Sequence, residues 1–197
     1  MIPKVIHYCW FGNNPKPELA IRCINSWKKY FPDYEIKEWN ESNFDVNACL
    51  YSKQAYEAKK WAFVSDYARF KILYENGGIY FDTDVEVLKD MTALLENGPF
   101  MGLEAGHDLI EGSKYNTAVA AGLGLAAEAG MDIYKEILEY YQKESFFYED
   151  GSINLTTIVI RISEMLENKG IKLQNEITTC CGLIIYPEDY FCSASTV

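Results

Sequence analysis

The stretch that most constrains this chain is Gly77-Gly78-Ile79-Tyr80-Phe81-Asp82-Thr83-Asp84. Two adjacent glycines permit a tight turn with positive φ. The three apolar residues that follow read as a short buried strand, and two aspartates sit one residue apart at its end. If the extended backbone continued, Asp82 and Asp84 would project to the same side. Two carboxylates so placed repel and raise each other's pKa unless a cation sits between them. Hard oxygen donors of this kind suit Mg²⁺, Mn²⁺ or Ca²⁺. The plain alternative is a solvated acidic turn between two strands.

Charge narrows the partners. With 18 basic and 29 acidic residues the net charge is −11, which argues against nucleic acid or an anionic membrane surface as a direct partner. An anionic small substrate then needs a metal or a local arginine to hold it. At 197 residues, 49% of them apolar, the chain fits one domain over residues 1–197 with a sizeable core. Met1 to His7 lacks the pattern of a signal peptide, and the apolar run Ala118 to Ala127 is too short to span a bilayer. The expectation is a cytoplasmic protein without a transmembrane segment, peripheral to the membrane's inner face through partners. Six cysteines (Cys9, Cys23, Cys49, Cys180, Cys181, Cys192) form no regular framework, and adjacent Cys180 and Cys181 read as buried thiols. His7-x-Cys9 on a core strand reads as packing rather than a metal pair.

Along the chain, Lys4 to Trp10 reads as a buried first strand. Pro17 to Tyr30 reads as a helix on the spacing of Leu19, Ile21, Ile24 and Trp27, and Tyr34 to Trp39 as a second strand. Strand, helix, strand suggests an α/β domain with parallel pairing. Tyr51 to Asn76 reads as two helices broken near Trp61, the second amphipathic and capped by Gly77-Gly78. It carries Asp66 and Arg69 three residues apart on one face; a surface ion pair is the plain alternative. Val85 to Leu88 should continue extended, with a helical turn at Thr92 to Glu96 and a strand at Phe100 to Glu104. Small residues leave Gly106 to Gly130 undetermined. Helices are expected at Ile133 to Tyr141 and Leu155 to Leu166, and strands at Ile171 to Leu173 and Leu183 to Tyr186.

Two segments taken together carry a resemblance. Trp61-Ala62-Phe63-Val64-Ser65-Asp66-Tyr67-Ala68-Arg69-Phe70, followed by Leu73-Tyr74-Glu75-Asn76-Gly77-Gly78-Ile79-Tyr80-Phe81-Asp82-Thr83-Asp84, resembles the DXD-containing sugar-transferase family. That family includes initiating mannosyltransferases, capsular-polysaccharide transferases and, more distantly, the large glucosylating toxins. The opening Ile2-Pro3-Lys4-Val5-Ile6-His7-Tyr8-Cys9-Trp10-Phe11-Gly12 is similar to the family's first strand, and the likeness covers residues 2 to about 105. A lone D-x-D is a weak signal; S-D-x-x-R with G-G-x-Y-x-D-x-D at this spacing is a strong one.

The resemblance implies an α/β fold of GT-A type, a single Rossmann-like mixed sheet flanked by helices that binds a nucleotide-diphosphate sugar. It implies transfer of a hexose, with retention, from a UDP- or GDP-hexose to a glycan or lipid-linked acceptor in capsular or surface polysaccharide synthesis. Asp84 would then hold Mn²⁺ or Mg²⁺, and Asp82 the ribose or sugar, with the metal through water. Asp66 and Arg69 would bind sugar hydroxyls and Trp10 would flank the base. The implied catalytic set is Asp82, Asp84 and Arg69. Similar proteins continue past a Tyr-Pro-x-x-Tyr-Phe segment, here Tyr186 to Phe191, into a His-rich stretch ending Ser-Trp. This chain stops at Val197 without it, so an open donor site with weak affinity is expected. Two other readings stand beside this one. One is a non-catalytic nucleotide-sugar-binding relative. The other is a phosphatase of the haloacid-dehalogenase kind with Asp82 as nucleophile, for which a later G-D-x-x-x-D is missing. An EF-hand fails, because position 6 from Asp82 is Val87 and position 12 is Ala93.

Overall fold

A computed structural model describes residues 1–105 and 117–191. The chain opens with strand β1 (Val5–Cys9), helix α1 (Glu18–Tyr30) and strand β2 (Glu35–Trp39). α1 buries Ala20, Cys23, Ile24 and Trp27, a stripe at helical spacing. Leu19 and Ile21, counted into that stripe from sequence, are exposed. The helix ends at Tyr30, immediately before the Phe31-Pro32 pair, where proline disfavours the α conformation of its predecessor.

Two helices follow, α2 (Leu50–Glu57) and α3 (Trp61–Asn76), and then β3 (Gly78–Tyr80). Beyond them lie α4 (Thr92–Asn97), β4 (Phe100–Ala105), β5 (Thr117–Val119), β6 (Leu125–Ala127), α5 (Asp132–Tyr141), α6 (Ile158–Asn168), β7 (Thr178–Cys180) and β8 (Leu183–Tyr186). The strands form one sheet in the order β2-β1-β3-β6-β4-β8-β7, with β5 paired to β4. β1 is parallel to both β2 and β3, and β4 to β8, while the other pairs are antiparallel. The sheet is thus mixed, with a parallel Rossmann-like half, as the resemblance implies.

Strand alternation distributes the core to two faces. Ile6 and Tyr8 of β1, Ile79 of β3 and Phe100 of β4 pack with Trp27 of α1 on one side. Cys9 of β1, Tyr80 of β3, Met101 of β4 and Leu125 of β6 pack with α3, α5 and α6 on the other. α3 is buried around most of its circumference rather than along one stripe: Val64, Asp66, Tyr67, Ala68, Arg69, Phe70, Ile72 and Leu73 are all covered. The expectation of an amphipathic helix fails here because layers lie on both sides of it.

Other expectations are corrected. Val85 to Leu88 is not a strand. Its backbone is taken up by α1 instead, with Trp27 Nε1 donating to Val85 O at 2.8 Å and Val87 N to Ser26 Oγ at 2.9 Å. Ile171 to Leu173 is not a strand either, because Leu166 O and Thr117 Oγ1 engage its backbone. β5 and β6 lie in the stretch left undetermined, of which residues 106–116 fall outside the described residues. Cys180 and Cys181 are not both buried: they sit at a hairpin tip, Cys181 exposed. There Cys181 and Gly182 adopt φ of 54° and 77°, as a two-residue turn of the primed kind requires. Cys192 lies outside the described residues. His7 is core packing, since Trp39 Nε1 donates to its Nδ1 at 3.0 Å and its Nε2 faces Gly77 O at 3.0 Å. Nε2 therefore carries the proton and donates.

Candidate active site

β1 sits between two parallel neighbours, and the chain leaves the carboxyl ends of β1 and β3 toward opposite edges of the sheet. Such a switch point opens a crevice at the carboxyl ends of the strands. The crevice is present as a cleft of about 460 Å³ lined by Trp10, Trp61, Arg69, Asp82, Thr83 and Asp84, among others. A larger cavity, about 690 Å³, lies around Ile2, Tyr30 and Leu95 at the amino ends of the strands, remote from the aspartates.

The diglycine turn sets what meets what. Gly77 takes φ 66° and caps α3, its N–H donating to Leu73 O at 2.8 Å, and the chain reverses directly into β3. A Cβ on Gly78, at φ 98°, would meet Val5 and His7, so β3 packs closely against β1. Back along the helix, Arg69 lies about 12 Å from the turn, eight residues at helical rise. Forward along the strand, Asp82 lies about 13 Å from it, four residues at strand rise. The two lengths match. Asp82 lies two residues past the end of β3, and its side chain is turned to the α3 face, where it meets Arg69.

Arg69 Nη1 accordingly donates to Asp82 Oδ2 at 3.1 Å and to Ala121 O at 2.9 Å. Its Nη2 donates to Asp66 Oδ1 at 3.0 Å and its Nε to Ser65 O at 3.1 Å. The guanidinium lies over the Tyr80 ring at 4.9 Å. Arg69 and Asp66 are both buried, so the surface ion pair weighed from sequence is excluded. Burial opposes the Arg69 charge, but Asp82, Tyr80 and Asp66 hold its pKa above the usual value. Burial pushes the Asp66 carboxyl up to about 6, against the pull of Arg69. Tyr80 OH donates to Asp82 Oδ1 at 3.0 Å, so both oxygens of Asp82 accept from the protein.

The aspartates do not share one side of a continuing strand. β3 ends at Tyr80, and Val85 N donates to Asp82 O at 3.1 Å, closing a turn over residues 82–85. Asp82 stays half-buried on the α3 side; Asp84 is exposed at the lip of the cleft. It has no protein partner among the described residues. Trp10 is half-buried at the far wall, its Nε1 donating to Asn14 O at 2.7 Å and Lys16 Nζ 5.7 Å from its ring. Asp66 stands behind Arg69 and reaches the cleft through it. No group of three or more His, Cys, Asp or Glu side chains close enough to hold a metal occurs among the described residues.

Three contributors went unseen in the sequence. Trp61 faces the cleft beside Trp10 and packs against Gly12. Ala121 supplies a carbonyl to Arg69, and Gly122 O accepts from Asp82 N at 3.0 Å. A Cβ on Gly122 would overlap the Asp82 carboxylate. A glycine followed by small residues and a strand was the only signal available. Cys9, under the cleft, is an inert thiol, pushed up to about 12 by burial.

Comparisons with known proteins bear on the family and the fold. Residues 17–101 match the family model described as "Glycosyltransferase sugar-binding region containing DXD motif". The chain is 30% identical over 111 residues to Inositol phosphoceramide mannosyltransferase 1 of Schizosaccharomyces pombe, covering 51% of this chain and 33% of that protein. It is 30% identical over 102 residues to Inositol phosphoceramide mannosyltransferase 3 of the same yeast, covering 48% and 27%. An uncharacterized glycosyltransferase of Acanthamoeba polyphaga mimivirus is 32% identical over 113 residues, covering 52% and 41%. The chain thus spans well under half the length of the curated relatives it matches. Among solved structures, the PaToxG glycosyltransferase superposes with a TM-score of 0.58 at 18% identity, over 85% of this chain and 70% of that one. That likeness speaks to the fold. On the motif and the family model, residues 17–101 are similar to the DXD-containing glycosyltransferase sugar-binding region, and the fold is like that of a solved glycosyltransferase.

Proposed function

We propose that this chain is the catalytic unit of a metal-dependent retaining glycosyltransferase that binds a UDP- or GDP-hexose in the cleft between Trp10 and Asp82. The single observation that carries the reading is the division of the two aspartates by the turn: Asp82 pinned from both oxygens, Asp84 exposed and unpartnered at the cleft lip. Asp84 fits a hard divalent cation, Mn²⁺ or Mg²⁺, as a free carboxylate facing an open cleft, and Asp82 would add contacts through water. Such a cation neutralises charge on the diphosphate leaving group when bound.

The chain's own residues do the rest. Trp10, with Trp61 beside it, offers a flat apolar wall for a nucleobase. Asp82, held by Arg69 and Tyr80, offers its remaining lone pairs to ribose or sugar hydroxyls. With four N–H groups of Arg69 donating within the protein, its main service is to fix Asp82. Its remaining N–H is the group left for the sugar, and Asp66, buried behind it and absent from the cleft lining, acts on the donor through Arg69 rather than by direct contact. The yeast relatives are named as mannosyltransferases acting on inositol phosphoceramide, which supports mannose as the hexose and a lipid-linked acceptor over a free glycan. Capsule or surface-polysaccharide synthesis and a cytoplasmic site belong to the same proposal. No helix among the described residues is long and apolar enough to cross a membrane.

The test is calorimetric titration of UDP and GDP into the protein with Mn²⁺, with Mg²⁺ and with chelator. Binding of one nucleotide only when metal is present is expected; equal binding in chelator would remove the metal role. Release of nucleotide from the matching sugar donor then establishes transfer or hydrolysis.

A further inference from the structure

Behind Asp66, away from the cleft, three helices bring together a second polar cluster. α2 contributes Tyr51, the end of α5 contributes Tyr140 and Tyr141, and the first turn of α6 contributes Arg161. Arg161 is buried; its Nη1 donates to Glu144 Oε2 and to Tyr140 OH, each at 2.6 Å, and its Nε to Thr156 O at 3.1 Å. The guanidinium lies 5.3 Å from the Tyr51 ring and 5.7 Å from that of Tyr141, and those two rings meet edge to face at 5.0 Å. A cation in the first turn of a helix faces the wrong end of the helix dipole. Its burial there needs another reason.

Within this one cluster, Arg161 Nη2, Tyr51 OH and Tyr141 OH are buried with no hydrogen-bond partner among the described residues. Each such group carries a desolvation cost, and native structures rarely tolerate three side by side without a purpose. Asp66, on the face of α3 that this cluster covers, has acceptor capacity to spare. Asp66 is a buried carboxylate able to accept about four hydrogen bonds, and the one it receives from the described residues comes from Arg69. Asp66 shares its face of α3 with Phe63 and Tyr67, which pack on Phe146 and Tyr141, and both of those rings meet Tyr51. Burial raises both phenols first and Asp66 adds to it, while Arg69 and, less, Arg161 pull Asp66 down against its burial. Tyr141 also packs on Tyr67, the next residue after Asp66 on α3, at 5.9 Å.

We infer that Tyr51, Tyr141 and Arg161 are positioning residues for the donor site, holding Asp66 from behind, through internal water, so that Asp66 keeps Arg69 aimed at Asp82. The inference rests on the transferase reading for its consequence, though not for the contact itself. The chain of restraint runs Arg161 and the tyrosines to Asp66, Asp66 to Arg69, and Arg69 to Asp82 at the cleft. Loss of its first link should misplace the reacting groups while leaving the base wall at Trp10 and the exposed Asp84 untouched.

Deleting the hydroxyls alone keeps every ring in place, so Tyr51→Phe/Tyr141→Phe is the informative variant. As a purely structural feature, removal of two unsatisfied buried hydroxyls leaves stability equal or higher and changes nothing at the cleft. The inference expects something else. In urea unfolding, the effect of the double Phe variant should depend on Asp66: combined with Asp66→Asn, the unfolding constant should differ at least about twofold from the product of the separate effects. In donor turnover, kcat should fall about tenfold while KM stays within about twofold, as for an interaction made chiefly in the transition state. Independent effects in unfolding, or unchanged kcat in an active enzyme, overturn the inference. Should the wild type turn over no UDP- or GDP-hexose while the unfolding effects are coupled, the transferase reading fails and the network around Asp66 stands.

Discussion

Gly122→Ala puts the geometry of the site to a sharp test. Gly122 has no positive φ to explain its identity, so the constraint on it is space alone. A Cβ there would overlap Asp82 Oδ2, lie 3.0 Å from Asp82 Cγ and 3.3 Å from Arg69 Nη1. A side-chain terminus can usually swing away from such an intrusion, but this one is tied down. Asp82 accepts from Arg69 at 3.1 Å and from Tyr80 at 3.0 Å, and its own backbone N–H is bound to Gly122 O at 3.0 Å. Relief therefore takes one of two routes. Either Asp82 gives up the Arg69 bond, a charge-assisted interaction worth about 1.5–3 kcal/mol, or the turn shifts as an overpacked site does, at about 1–3 kcal/mol. The cheaper route sets the cost. Set against it is about 0.4–1 kcal/mol from the stiffer unfolded chain.

The net expectation is a loss of about 1–2 kcal/mol, which for a chain of this length lowers Tm by about 2–8 °C. Metal-dependent nucleotide binding should weaken with it, because the carboxylate that moves lines the cleft. The decisive comparison is the same substitution made in Asp82→Ala protein. With the carboxylate gone the one tight neighbour left is Arg69 Nη1 at 3.3 Å, the end of a side chain then free of its bond to Asp82 and able to give way, so Gly122→Ala should become neutral or slightly stabilising. Scanning calorimetry on the four proteins reads both signs. An equal loss of stability in the two backgrounds, or no loss in either, would refute the claim that Gly122 is kept small to seat Asp82.

Other outcomes follow from the same coordinates. Asp84→Ala should abolish metal-dependent nucleotide binding in calorimetry yet move Tm by no more than about 1 °C, since an exposed, unpartnered carboxylate carries little stability. His7 is held neutral by burial, its pKa brought from 6.5 down to about 4. Between those values the unfolded state binds the extra proton, so this contribution is intact above pH 6.5 and declines as pH falls toward 4. Compared with His7→Gln in urea melts, the wild type should therefore lose about 3 kcal/mol more across that window; parallel pH profiles would show that His7 is not the group responsible. A generic aryl phosphate with Mg²⁺ should not be hydrolysed, because Asp82 is fixed by Arg69 and Tyr80 rather than free as a nucleophile. Clear turnover would favour aspartyl-phosphate chemistry.

Most of the amino-terminal half of the fold was legible, and local patterns explain why. The runs Lys4 to Trp10 and Tyr34 to Trp39, the helix between them, and the cap at Gly77-Gly78 each carry their signal within a few residues. What failed depended on partners remote in sequence. Val85 to Leu88 has the composition of a strand but meets Trp27 and Ser26 of α1 where a neighbouring strand would have to be. β6 is Leu125-Ala126-Ala127, with neither β-branched nor aromatic residues, and it is a strand because β3 and β4 flank it on both sides. Cys181 looked apolar enough to bury, but the hairpin required a residue at its tip.

The site divides along the same line. Asp82 and Arg69 were grouped from sequence only through the resemblance; pattern alone paired Arg69 with Asp66, and the Arg69–Asp82 bond depends on how the diglycine turn sets α3 against β3. Asp84 was misplaced for a local reason: alternation assumes that the strand goes on, and no pattern marks its end at Tyr80. The turn that ends it separates two carboxylates that sequence put side by side. The case for a metal then rests on the resemblance and on Asp84 as an exposed carboxylate at the cleft that Asp82 also lines. The remaining wall, Ala121 and Gly122, reaches Arg69 and Asp82 across 52 and 40 residues. Small residues of that kind have no chemistry of their own to announce a role; only the position of the Asp82 carboxylate against the Gly122 Cα reveals it.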